Sequence, residues 1–161
     1  MSFTASKDLD MYSQINQFLS EFFKELDNDG LKITDFYTDD GVFVVGGNAF
    51  EGHDGIRSFY AKRLEGVREK GADAVRTSRH TYVNLRIAAE AEDRATLDFI
   101  NLTYAGDGRP PVGGLLGPSV VSDCHMECER SPAGNWLVKR FEGEAVFLGS
   151  DPLMNKMAVK Q

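Results

Sequence analysis

Residues 77–104 read TSRHTYVNLRIAAEAEDRATLDFINLTY, and the order of polar and apolar side chains along them decides the fold. Residues 77–89 alternate, Glu90-Ala91-Glu92-Asp93 forms a polar turn, and residues 94–104 alternate again. A period of two on both sides of a short turn predicts two long antiparallel strands. Downstream, a Gly- and Pro-rich loop over residues 105–118 leads to a strand over 119–130. Ser131-Pro132-Ala133-Gly134-Asn135 is a hairpin turn, and residues 136–148 form the last strand. Upstream the period changes. Residues 9–26 place Ile15, Phe18, Leu19, Phe22, Phe23 and Leu26 at helical spacing, and the run stops at Asp27-Asn28-Asp29-Gly30.

A short helical piece is expected over 31–37, a tight turn at Thr38-Asp39-Asp40-Gly41, and a strand over 42–45. The turn Gly46-Gly47-Asn48 leads into residues 49–52. Asp54 is expected to cap a helix over 55–70, with Ile56, Phe59, Tyr60 and Leu64 facing inward. Lys62, Arg63, Arg68 and Lys70, interleaved with Glu65 and Glu69, read as its solvated face. Helices followed by consecutive long strands give an α+β domain, its N-terminal helices on a curved, mostly antiparallel sheet. One domain spans 1–161, with a core at about 9–148 and a tail, 149–161, that folds over a neighbouring element or frays.

At 161 residues, 42% hydrophobic and 27% charged, the chain can bury one ordinary core. Its net charge of -7 and scattered basic residues argue against nucleic acid or an anionic membrane as partner. No apolar run spans a bilayer, and MSFTASKDLDMYSQ lacks the apolar core of a secretory signal, so the cytoplasm is the expected compartment. Cys124 and Cys128 point to one face of a strand about 13 Å apart, too far for a disulfide, and read as packing residues.

Chemistry centres on His80. Ser78, His80, Tyr82 and Asn84 share one face of their strand, and Arg79, Thr81, Val83 and Leu85 the other. If the first set faces inward, His80 is an imidazole in a pocket, able to act as a base near neutral pH. The alternative is a structural histidine at a sheet edge. Asp27 closes the first helix after its apolar stripe, where a carboxylate pointing inward would fix an imidazole's tautomer. An exposed turn carboxylate, the role given to Asp29, is the other reading of Asp27.

Asn101 follows Leu97 and Phe99 on one strand face, as a lone polar group in a pocket or an internal ladder residue. Tyr37 and Tyr82 are candidate hydrogen-bond donors to an oxyanion, Tyr82 with the better claim because it shares the His80 face. Arg140, on the face of Trp136 and Val138, is either an anion ligand or half of a surface ion pair. His53 reads as exposed, and Asp123, His125 and Glu127 as a solvated or subunit-contact face, because residues two apart on a strand do not wrap one metal ion. The loop's Val112, Leu115 and Leu116 suit a lid or a subunit contact. It carries no nucleotide-binding glycine pattern, so no cofactor and no metal are expected.

Three stretches carry a resemblance: Phe36-Tyr37-Thr38-Asp39-Asp40-Gly41-Val42-Phe43, Phe50-Glu51-Gly52-His53-Asp54-Gly55-Ile56, and Arg79-His80 with Asn84 four residues on. With Trp136-Leu137-Val138-Lys139-Arg140 they resemble the nuclear-transport-factor-2-like superfamily, in the branch of SnoaL-like cyclases, scytalone dehydratase and hexachlorocyclohexane dehydrochlorinase. The resemblance runs from about residue 12 to 148. It implies a cone-shaped α+β barrel and pairs Asp27 with His80 as the lyase members pair an Asp and a His. It also makes Arg140 similar to an arginine of the dehydrochlorinase. The sequence departs from the dehydratase pattern at Leu26, where relatives often carry a tyrosine, and at Phe22, where they often carry a tyrosine or lysine.

The expected function is a cofactor-independent lyase, a dehydratase first, with His80 as general acid/base oriented by Asp27. Phe18, Phe22, Phe43, Phe50, Phe59, Tyr82 and Phe99 are the expected walls for an aromatic, phenolic or polycyclic substrate. A homo-oligomer is expected, a trimer ahead of a dimer. The alternatives are the structural β-subunit of an aromatic-ring-hydroxylating dioxygenase, which shares this fold, and a non-catalytic ligand-binding domain.

Overall fold

The computed structural model describes residues 7–71, 73–114 and 117–158. Helix α1 (Lys7–Asp27) leads through a short 3-10 helix (Ile33–Phe36) into strands β1 (Tyr37–Val45) and β2 (Asn48–Glu51). Helix α2 (Gly52–Arg68) follows, then β3 (Arg76–Ala91), β4 (Arg94–Asp107), β5 (Val120–Arg130), β6 (Trp136–Leu148) and α3 (Pro152–Ala158). The six strands form one open sheet in the order β2-β1-β6-β5-β4-β3. Every pairing is antiparallel except β1 with β6, so the sheet is mixed.

The period-3.6 stripe of α1 does what its spacing predicts: Ile15, Leu19, Phe22, Phe23 and Leu26 are all buried. They pack with Ile33, Tyr37, Ile56 and the inward residues Leu97, Phe99, Met126, Val138 and Phe141. Phe22 is fully buried at the centre of this cluster, its ring centroid 5.4 Å from Phe23 and 5.8 Å from Phe36 and Phe141. Cys124 and Cys128 belong to the same core, both free, and burial pushes both thiols up to about 12. No helix among the described residues is long and apolar enough to cross a membrane.

The structure departs from the sequence reading at several places. Thr38-Asp39-Asp40-Gly41 is not a turn; it runs inside β1 as an irregularity between the pairs Tyr37↔Val138 and Val42↔Arg140. Its turn-forming residues bond locally, Thr38 Oγ1 donating to Asp40 (3.0 Å) while Asp40 also pairs with Lys139. Gly41 is required here because a Cβ would stand 2.9 Å from the Tyr37 ring. Only four residues, 33–36, of the piece expected over 31–37 are helical. Helix α2 starts at Gly52, three residues early; Asp54 lies in its first turn, pairing with Arg57, rather than capping it. Residues 105–107 extend β4, shortening the loop, and Leu115 and Leu116, given there as lid residues, lie outside the described residues.

Two bulges change which face a side chain takes. The β3–β4 register shifts between Val83 and Arg86, and Asn84 adopts a left-handed φ of 57°. An extra residue on one strand inverts the alternation beyond it. Asn84 is therefore exposed, away from His80, while Leu85 and Ile87, on the other side of the count, pack against the core. The β5–β6 register also shifts between Glu127 and Cys128, which pair with Arg140 and Val138. Arg140 thus leaves the face of Trp136 and Val138, and Phe141 takes the inward position.

Candidate active site

Asp27 and His80, 53 residues apart, meet. Phe23 and Asp27 stand one helical turn apart on α1, so both project onto the same patch of β3. Asp27 Oδ1 accepts two hydrogen bonds, from the His80 backbone N–H (3.0 Å) and from Nδ1 (2.8 Å). The Phe23 ring stacks on the imidazole, with centroids 5.7 Å apart and planes 21° from parallel. A carboxylate only accepts, so Nδ1 carries a proton, and in the neutral imidazole Nε2 presents a lone pair. Nε2 has no hydrogen-bond partner among the described residues. Both side chains are largely shielded, 9% exposed for His80 and 16% for Asp27.

His80 lines a cavity of about 110 Å³ that opens to solvent. Phe23, Leu26, Phe43, Phe59 and Phe141 form its aromatic and apolar side. Ser78, Asn101, Thr103 and Ser122 bring hydroxyls and an amide from β3, β4 and β5. Gly143 and Ala145 of β6 have little or no side chain, which leaves the room. The Asn101 amide donates to Thr103 Oγ1 (3.0 Å), and its buried Oδ1 has no partner among the described residues. Asn101 is thus a pocket residue, with Thr103 as its polar neighbour.

The other expected site residues are placed differently. Phe43 and Phe59 are cavity walls, 5.0 Å apart edge to face. Phe22 and Phe99 are buried in the core behind the cavity. Tyr37 is 2% exposed in that core, its hydroxyl without a partner among the described residues and its pKa raised well above the ordinary tyrosine value by burial. Tyr82 shares the His80 face but turns to α1, donating to Asn16 Oδ1 at 2.7 Å while its ring stacks on Phe23. It fastens helix to strand. Arg140 pairs with Glu142 away from the cavity. His53 is partly buried, 3.3 Å from the Tyr37 carbonyl, and His125 pairs with Asp98 (2.8 Å) on the half-exposed sheet face. No group of three or more possible metal-ligating side chains occurs among the described residues.

Two parts of the wall were missed in the sequence. Arg63 of α2 was read as solvent-facing, yet it lines the cavity and donates to Ser78 Oγ at 3.3 Å. Its position was legible, since 56, 59/60, 63 and 67 make one helical stripe and Ile56, Tyr60 and Val67 are buried. The tail supplies the other part. Helix α3 lays Met154, Met157 and Ala158 over the cavity. Asp151, just before Pro152, accepts from Leu153 N–H (3.1 Å) and pairs with Arg76, and Leu153 packs against Gly66. A carboxylate followed by proline at the first helical position is a helix-start signal that the sequence did carry.

Solved structures with this architecture include a candidate scytalone dehydratase from Novosphingobium aromaticivorans, at 17% identity and TM-score 0.72, covering 92% of both chains. ActVI-ORFA from Streptomyces coelicolor aligns at 14% identity and TM-score 0.71, over 88% of this chain and 98% of its own. The chain has the nuclear-transport-factor-2-like fold. A third structure with this fold, from Catenulispora acidiphila in complex with S-DNPA, is 20% identical with TM-score 0.59 over 84% of this chain and 94% of its own. Neither a protein-family model nor a curated protein matches the sequence. At these identities the nuclear-transport-factor-2-like fold is what the chains share, and chemistry must be argued from its cavity.

Proposed function

We propose that the protein is a cofactor-independent lyase, a dehydratase in the first instance, acting on an aromatic, phenolic or polycyclic substrate. The observation that carries this reading is the imidazole of His80: Nδ1 held by Asp27, Nε2 unpartnered, at the wall of a largely aromatic cavity. Nε2 takes a proton from carbon beside a carbonyl, and Asp27 stabilises the imidazolium that forms. The same nitrogen returns that proton to the departing hydroxyl, so a C=C bond and one water result. Developing negative charge on the carbonyl oxygen needs a donor, and the cavity's hydroxyls and the Asn101 amide supply candidates where water is excluded. A related elimination that expels a one-carbon fragment uses the same dyad. The names of the scytalone dehydratase and of the complex with S-DNPA agree with small-molecule chemistry in this fold. An open, lined cavity also supports an enzyme over a purely structural subunit, whose cavity side chains would fill. The expected homo-oligomer belongs to the same proposal, and the exposed Val146, Phe147 and Leu148 of β6 support it.

The test is a screen of ring-fused aromatic β-hydroxy ketones and hydroxylated polycyclic compounds, read by mass spectrometry for loss of water. The expected result is elimination from at least one of them about 10³-fold or more above buffer. Tight binding across the panel with no elimination and no carbon loss would overturn the lyase reading in favour of a binding domain.

A further inference from the structure

The protein carries a net charge of -7, yet among the described residues the side chains lining the cavity include no Asp or Glu. Among the described residues they do include three nitrogen bases or cations: Arg63, Arg76 and His80. Asp27 lies behind the imidazole rather than in the wall. Arg76 is neutralised, pairing with Asp151 and, at 3.2 Å, with Asp107. Arg63 is not. Its one hydrogen bond among the described residues goes to a neutral hydroxyl, Ser78 Oγ, at 3.3 Å. Ser78 sits two residues before His80 on the same face of β3, so the guanidinium and the imidazole open on one cavity.

A guanidinium withdrawn from water normally comes with a carboxylate or phosphate to share its five N–H groups. Burial here lowers the Arg63 pKa, and Arg76 adds like-charge repulsion, while Tyr60, Asp29 and Asp27 act in the opposite sense through space. Fastening α2 to β3 would not call for this: a neutral donor could hold the Ser78 hydroxyl without desolvating a charge.

We propose that Arg63 is a substrate-binding residue and that the substrate is an aromatic acid, its carboxylate or comparably acidic group seated against Arg63 while the reacting carbon lies at His80. This deepens the lyase reading and rests on it for the substrate's second half, but not for the anion seat itself. A planar guanidinium offers two parallel N–H groups to a carboxylate, which fixes orientation as well as affinity. The anion would supply the directly bonded carboxylate that Arg63 lacks among the described residues.

The probes are 2-naphthoate and its neutral isostere 2-naphthamide, measured by calorimetric titration on the wild-type protein and on Arg63→Gln, Arg63→Lys and His80→Gln. The wild type is expected to favour naphthoate by roughly tenfold to a hundredfold. Arg63→Gln should bring the two affinities together, Arg63→Lys should retain part of the preference, and His80→Gln should leave it intact. Equal affinities in the wild type, or an unchanged preference in Arg63→Gln, would overturn the proposal. Should Arg63→Gln fail to fold, the Arg63 Nε–H resonance of the wild type carries the test: it should move with naphthoate and stay with naphthamide, and the reverse would overturn the proposal. Because binding is read without turnover, a preference that persists alongside an inactive screen separates failure of the lyase reading from failure of the anion seat.

Discussion

Replacing His80 by alanine is expected to lower turnover of any eliminated substrate by ~10²–10⁴-fold, with the fold retained. Nε2 is the group placed to move the proton, and no other unpartnered imidazole lines the cavity among the described residues. Folding should survive because Asp27 keeps the backbone N–H of residue 80 as a donor, so no buried carboxylate is left bare. The lost stack on Phe23 costs only about 0.5–1.5 kcal/mol. Asp27→Asn is expected to slow turnover on the order of 10²-fold, since an amide oxygen can still accept from both N–H groups but cannot stabilise the imidazolium. Steady-state kinetics with a circular-dichroism control decides the matter, and near-normal turnover in either variant would contradict the dyad.

Phe22→Ala should show the opposite division of effects. The ring is completely buried and touches Phe18, Phe23, Phe36, Tyr37 and Phe141 with centroids 5.4–6.3 Å away. Removing it leaves a void that the surrounding rings of α1, the 3-10 helix, β1 and β6 cannot collapse to fill, and the expected loss is about 3–5 kcal/mol of stability. That is a large share of the ~5–15 kcal/mol typical of a domain. Phe22 does not line the cavity, so turnover per folded molecule should change little at low temperature. Urea denaturation checks it. A loss under about 1 kcal/mol, or a kinetic defect without a stability defect, would show that Phe22 faces the cavity instead.

Phe22 also illustrates what could be read from the sequence. Its burial follows from the helical spacing of α1 alone, and the strands β3 to β6 follow from alternation and from the turns between them. What alternation cannot reveal is where it slips. The bulges at Asn84 and beside Arg140 each insert one residue, and each reassigns the side chains beyond it, which is why Asn84 and Arg140 were placed on the wrong face and Leu85 with them. The meeting of Asp27 with His80 is a contact across 53 residues, and no local pattern encodes it; the resemblance to dyad lyases carried that expectation. Arg63 was lost for a different reason. A charged residue among other charges reads as solvated, and only its place on the Ile56–Tyr60–Val67 stripe told otherwise.

The most direct test of the catalytic reading is a crystal structure of the protein soaked with an aromatic β-hydroxy ketone at a pH where turnover is slow. The expected density lies between Phe43, Phe59 and His80, with a reacting carbon or its hydroxyl within about 3.2 Å of Nε2 and Asp27 still bound to Nδ1. Density only outside this cavity, or an Asp27 side chain turned away from His80 in the complex, would contradict it.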